Sequence, residues 1–304
     1  MGTIPRIFNI GNMNILCNLK AFIARLIFLY RDWKYINLFA DRDKKELDVV
    51  LALLRKNCHI LDKGLHVIPF EKGHGLKTYN EALVLKKILV GTPKESDLSF
   101  RWCCDVMDLY EEAQDSELKD LNGSFHNYDD SEKQSIYDFF HSRVSCRNFN
   151  DTAIDDRTWN EIIEVASDAP NSCCRQTSRI YVVKDKTTIG RLIRDIAGAT
   201  GFSNGIPYLL CVTSDVRPYA CMDRMLAYID ASLFVENLVL ACRANNVFTV
   251  ILNFQHASEK ERKDVMELLN IPSYEHVIVF IAAGRVDSVP VKPLRMHVKE
   301  FRKL

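Results

Sequence analysis

The 304-residue sequence has no net charge, no Cys-x-x-Cys pair and no membrane-length hydrophobic run near its N-terminus. Each absence excludes something. Forty Lys and Arg balance forty Asp and Glu, which removes the overall electrostatic case for a nucleic-acid partner. The ten cysteines include the adjacent pairs Cys103-Cys104 and Cys173-Cys174. Adjacency is not metal-ligand spacing, so no metal site is expected. With no signal-peptide pattern, these thiols are expected to be reduced, in a cytoplasmic setting. The greasiest run, 21–30, is far short of the roughly 20 apolar residues that span a bilayer, and Arg25 interrupts it. A Walker loop, a His-Glu-x-x-His pair and the Ser-His-Asp and Cys-His orders of hydrolases are all missing.

What remains is an ordinary globular balance, 47% hydrophobic and 26% charged, long enough for a large domain with an extension. Residues 1–40 read as a helix packed on the body or on a partner subunit, or as one lying on a membrane surface in peripheral contact. Leu47, Val50, Leu51 and Leu54 form one helical stripe over 43–57. The following Cys58-His59-Ile60-Leu61-Asp62-Lys63-Gly64-Leu65 has two readings. It is a helix end with Gly64 as a left-handed stop, or a segment whose His59 and Lys63 border an active site. Residues 70–77 read as a loop, 80–90 and 97–112 as helices. The polar stretch 114–130, with Asn122-Gly123, reads as a linker. Residues 1–130 are therefore expected to be an N-terminal helical extension with its linker, and 131–304 a second domain.

That second part alternates helices and strands. Trp159, Ile162, Ile163 and Ala166 make an amphipathic helix. Strands are expected at 180–183, 208–213, 248–252 and 276–282. The stretch 228–243 is apolar nearly all round, as in a helix buried in a core or a dimer interface. Ser258 and Glu261 form a capping box. Asp129-Asp130 and Asp155-Asp156 sit where capping explains them. The class is α/β (α+β).

The whole turns on 143–184. Arg143-Val144-Ser145-Cys146-Arg147 brings two fixed cations and a hydroxyl together, a set that suits a phosphate or marks a solvated helix end. A polar turn, Asp168 to Gln176, then precedes the strand Ile180-Tyr181-Val182-Val183. This order resembles the FMN-dependent nitroreductase family, whose pattern is Arg-x-Ser-x-Arg/Lys, one helix, Ala-Pro-Ser-x-x-Asn-x-Gln-Pro and a strand. The resemblance extends over about 136–304. The 58–65 stretch resembles one found before the flavin domain in a polysaccharide-cluster-associated type of these proteins, with Asp62 in place of a Glu.

The resemblance implies a mixed, largely antiparallel sheet flanked by helices, in a homodimer with the flavin at its interface. It implies an NAD(P)H-dependent FMN oxidoreductase with ping-pong kinetics and a small nitro- or quinone-type acceptor, and the 58–65 resemblance implies a link to polysaccharide biosynthesis. Arg143 and Ser145 match positions that hold the FMN phosphate and ribityl end, and Lys292 and Arg295 match the C-terminal phosphate ligands. Arg147 matches the basic position beside the flavin ring. Gln176 and Cys174 match the glutamine and asparagine of the turn, and backbone groups of Leu252, Asn253 and Phe254 match the strand along the flavin edge. Arg147, Asn253 and Phe254 would stand nearest the reacting part. Three departures matter. Cys174 is a weak donor where asparagine is common, and Asn246 and Phe248 replace a Gly-x-Gly. Cys174 and Phe248 leave room for a second reading, a non-catalytic scaffold or binding protein on the same fold.

Overall fold

The computed structural model describes residues 22, 23, 25–27, 29, 30, 33, 34, 46–67, 69–115, 121, 123–255 and 257–302. The described residues among 22–34 are helical and exposed. From Leu47 on come three helices: α1 (Leu47–Leu65), α2 (Leu76–Leu89) and α3 (Leu98–Asp115). They bury a shared cluster in which Leu51, Leu54, Leu61, Leu89, Phe100 and Met107 are fully enclosed. Most of the expectation for residues 1–40, the first residues of the 43–57 helix, and the linker residues 116–120 and 122 lie outside the described residues. The described remainder of the linker, 121 and 123–129, has no regular structure.

Gly64 does not stop α1. The helix runs through it to Leu65, and His66 caps the end in an ordinary right-handed conformation. Leu65 is buried in the three-helix cluster, so continuing the helix past Gly64 hides a large side chain that an earlier stop would expose. The left-handed glycines lie further on, Gly73 and Gly75, where the chain turns into α2.

The rest of the chain builds a four-stranded sheet between helices. The elements are α4 (Asp130–Ser142), α5 (Asp156–Ser167), β1 (Ser178–Val183), α6 (Lys186–Leu192), β2 (Tyr208–Asp215), α7 (Leu226–Ala244), β3 (Phe248–Leu252), α8 (Glu259–Leu269), β4 (Glu275–Gly284) and α9 (Val298–Phe301). The spatial order is β1-β2-β4-β3 and every paired strand is antiparallel. The expected capping residues hold: Asp129, Asp155 and Ser258 each accept backbone N–H bonds at a helix start.

Period-two alternation decides which helices lie on which face. Leu210 and Val212 of β2 pack with Trp159 and Ile162 of α5 and with Phe234 and Leu238 of α7. Leu209 and Cys211 point the other way, with Leu192 of α6, Val265 of α8 and Phe254. Residues of β2 are buried throughout, as expected of a strand covered on both faces.

Gly284 shows how tight one corner is. A Cβ there would lie 2.6 Å from Pro207 Cγ and 3.0 Å from the Phe149 ring. Only glycine lets the end of β4 meet the segment that follows Arg147.

Candidate flavin site

Arg143-x-Ser145-x-Arg147 runs along the outer edge of β3. Ser145 forms a parallel bridge with Thr249, and the Cys146 N–H donates to the Thr249 carbonyl at 3.1 Å. Extended backbone alternates its side chains. Val144 and Cys146 are accordingly buried, while Arg143 and Ser145 are half-buried and Arg147 exposed. Burial pushes the Cys146 thiol up despite Arg147, Arg243 and Arg143 nearby, so it is a core thiol rather than a nucleophile. The Arg147 guanidinium stands 6.0 Å from the Phe202 ring. Lys292 comes in from the C-terminal tail and donates to the His141 carbonyl at 2.9 Å. Arg143, Ser145, Arg147 and Lys292 thus gather at one edge of the sheet. Arg295 is exposed in the irregular tail three residues beyond Lys292.

The backbone after β3 is less open than the resemblance implies. Asn253 and Ala197 exchange both backbone bonds, at 3.1 Å and 2.9 Å. The Asn253 N–H, which the resemblance turns toward a flavin edge, is committed to a neighbouring carbonyl. Gly198, next to Ala197, has φ +95°, a left-handed conformation that glycine takes freely. Phe254 is a core residue, its ring 5.1 Å from that of Phe280, and Leu252 is buried as well. The side chains open to solvent here are those of Ile251 and Asn253.

Gln176 and Cys174 lie elsewhere, in the turn before β1 at the opposite edge of the sheet. Three intervening strand spacings of about 4.8 Å separate the edges by about 14 Å. The turn is tightly held. Asp230 of α7 accepts from both the backbone N–H and the hydroxyl of Ser172, at 3.0 and 2.7 Å. Tyr219 also donates to Asp230 at 2.7 Å and meets Thr177 at 2.7 Å. Burial raises the Tyr219 phenol well above its ordinary range, so it stays a neutral donor. Gln176 takes its N–H to Asn171 Oδ1 at 3.0 Å and its amide to the Cys174 sulfur at 3.2 Å. From the N-terminal helices, Arg55 of α1 donates to the carbonyls of Cys174 and Arg175.

His59 lies one helical turn beyond Arg55 on α1, so it shares the face that meets this turn. It is half-buried, and burial, followed by the Lys63 charge, holds its pKa below the ordinary value. Lys63 is exposed.

Of the three departures, two resolve simply. Asn246 adopts φ 54°, the left-handed conformation open to asparagine, and accepts from Arg243 Nη1 at 3.2 Å. Phe248 is half-buried under the Arg243 guanidinium, 5.0 Å from its ring, so it finds room at the start of β3. Arg55 and Asp230 are the functional candidates that sequence reasoning assigned no role. Each left a trace, a lone charge inside an otherwise apolar stripe.

An antiparallel sheet with helices on both faces and a basic edge beside its last strand defines an α+β domain of the nitroreductase fold. Residues 141–202 match the model of the nitroreductase family. Nitroreductases are flavin-dependent oxidoreductases, so the family implies redox chemistry. The fold is similar to that of B. megaterium NfrA2, at 21% identity and a TM-score of 0.50, covering 55% of this chain and 72% of that one. It is equally similar to a nitroreductase-like protein from Streptococcus mutans, at 18% identity and 0.50, covering 57% of this chain and 98% of that one. No curated protein matches the chain.

Proposed function

We propose that the chain is an FMN-dependent oxidoreductase that draws on NAD(P)H and reduces a small organic acceptor of nitro or quinone type, acting as a homodimer. The observation that carries this reading is the division of the site. Its basic half, Arg143, Ser145, Arg147 and Lys292, borders β3, while Gln176 and Cys174 lie by β1 across the sheet. A single copy keeps the halves apart, so a complete site takes the basic edge of one copy and the turn of another.

The surface supports such pairing. Met222 and Met225, in the turn leading into α7, and Ile229 and Leu233 on its first turns are 86%, 58%, 51% and 40% exposed. An apolar stripe of that kind marks an interaction surface. The segment Cys221–Ala244 is also long and apolar enough to cross a membrane, but half of its most apolar window is buried in the domain, as in a core helix.

The residues present fit FMN at its charged end. Arg143, Lys292 and the Ser145 hydroxyl are the phosphate-binding set, two cations and a donor brought to one edge by the Thr249 bridge and the His141 bond. Bound there, FMN would supply the hydride chemistry that no side chain of this protein offers. Arg147 supplies a fixed positive charge beside it, favouring an electron-rich ring. The turn at 171–176 offers the amide of Gln176 for orientation. A role beside polysaccharide biosynthesis is supported by the 58–65 stretch alone.

The commitment of the Asn253 N–H to Ala197, together with Cys174, favours a second reading, a scaffold protein that keeps the fold without the chemistry. A visible spectrum of the purified protein, with FMN and then NAD(P)H added without oxygen, separates the two. The enzyme reading expects a flavin band that bleaches with the nucleotide. Absence of flavin binding at excess FMN would leave the scaffold reading.

A further inference from the structure

Arg55 lies on α1, outside the domain that holds the basic edge, and is 7% exposed. Its Nε donates to the Cys174 carbonyl at 3.2 Å and its Nη2 to the Arg175 carbonyl at 2.6 Å. One planar fork thus grips two successive carbonyls of the turn. Leu51, Leu54 and Cys58 beside it on the helix are buried apolar residues. Burial lowers the arginine's pKa from its ordinary value, so placing a cation here opposes stability unless the two bonds offset it.

The turn it grips has a backbone that needs outside support. Cys173, Cys174 and Gln176 have φ of 51°, 54° and 53°, left-handed values that side chains with a Cβ disfavour. Conformations of this kind persist where the surroundings over-determine them. Asp230 fixes Ser172 at the start of the turn. Arg55 takes the two carbonyls in the middle, between the left-handed residues. A second tie joins the same parts of the chain, since Glu46 pairs with Arg217, but it does not touch the turn.

We infer that Arg55 is a positioning residue for flavin binding: the N-terminal helices, through this side chain, hold the 172–176 turn in the left-handed form that presents Gln176 and Cys174. The inference deepens the flavin reading above and rests on it. By the two-copy arrangement, the flavin so served sits on the partner copy's basic edge. The helical extension is then part of the site's construction as well as an attachment to it.

The test uses the full chain with three variants. Arg55→Met keeps the stem and the packing but removes both donors, Arg55→Lys keeps a charged donor, and Glu46→Gln breaks the other tie. Amide hydrogen exchange across 172–178 reads the turn with or without flavin, and an FMN titration reads the site. Arg55→Met should speed exchange in 172–178 by about tenfold or more while β2 and β4 keep wild-type protection, and should raise the Kd for FMN by about tenfold. Arg55→Lys should recover part of both, and Glu46→Gln should leave both at wild type. Wild-type exchange and wild-type affinity in Arg55→Met would overturn the inference. So would an equal loss in Glu46→Gln, which would make Arg55 a general fastener. If Arg55→Met does not fold, Arg55→Lys decides by the same two readouts, with a smaller rise in both expected and wild-type values overturning the idea. If wild-type protein takes no FMN, the flavin reading fails by itself, and the inference about flavin binding falls with it whatever exchange shows of the turn.

Discussion

Lys292 Nζ donates to the His141 carbonyl, two residues before Arg143, so the C-terminal tail is tied to the start of the basic edge. Charges that far apart in sequence meet only because the tail crosses back over the end of α4. Arg143→Ala should weaken FMN binding by about tenfold to a hundredfold, and Lys292→Ala by less, since its exposed ammonium is screened. Flavin titrations at low and high salt check this, because the wild-type affinity should fall with salt more steeply than that of either variant.

The exposed face of α7 gives a separate prediction. Charging it with Ile229→Glu and Leu233→Glu should yield a monomer, since both side chains are apolar, exposed and on one stripe. The same variant should lose flavin although neither residue is among the proposed ligands. Sedimentation and flavin content would be measured on one preparation. A monomer that kept full flavin would refute the divided site.

Gly284→Ala should destabilise the fold by roughly 1–3 kcal/mol, because the added Cβ meets Pro207 at 2.6 Å and Phe149 at 3.0 Å. Urea unfolding gives the number. Gly190→Ala, in α6 with open space around its Cα, serves as the contrast and should be neutral or stabilising.

His276 begins the pH argument. Its ring, at the start of β4, lies 2.9 Å by Nε2 from the Tyr228 hydroxyl. Burial, and then the Arg262 charge, holds its pKa down at about 4, against an ordinary 6.5. The folded form therefore prefers the neutral ring. Between pH 6.5 and 4 the unfolded chain binds the proton and the folded chain does not, so this contribution is full above 6.5 and is lost as pH falls toward 4. Its size is on the order of 3 kcal/mol. Asp215, whose carboxyl burial pushes up to about 6, acts with the opposite sign, its contribution falling as pH rises through that range. Comparing Tm against pH for wild type and His276→Gln isolates the histidine. The difference should change between pH 4 and 6.5 and level off outside.

The framework of this protein was legible in its sequence because periodicity reports burial. The strand at 248–252 and the helix around Trp159 are there as read, and Asp155 and Ser258 cap as expected. Helix ends were read less well. Whether α1 stops at Gly64 depends on where Leu65 finds cover, and that is set by α2 and α3, not by the glycine. The basic edge was legible as a motif, since Arg143, Ser145 and Arg147 alternate along one short extended segment. Strand order was not, and strand order alone puts Gln176 across the sheet from Ser145. The engagement of Asn253 with Ala197 was equally hidden, because it joins backbone groups and leaves no signature in side chains.

Arg55 reads the turn through carbonyl oxygens only. Every residue type carries the same carbonyl, so this grip is indifferent to what side chains the turn bears. Cys173, Cys174 and Gln176 could drift to other residues tolerant of a left-handed backbone without loosening it. The shape of the turn and its chemistry are thereby written in separate places, one on a distant helix and one in the turn itself, and each can change while the other stays.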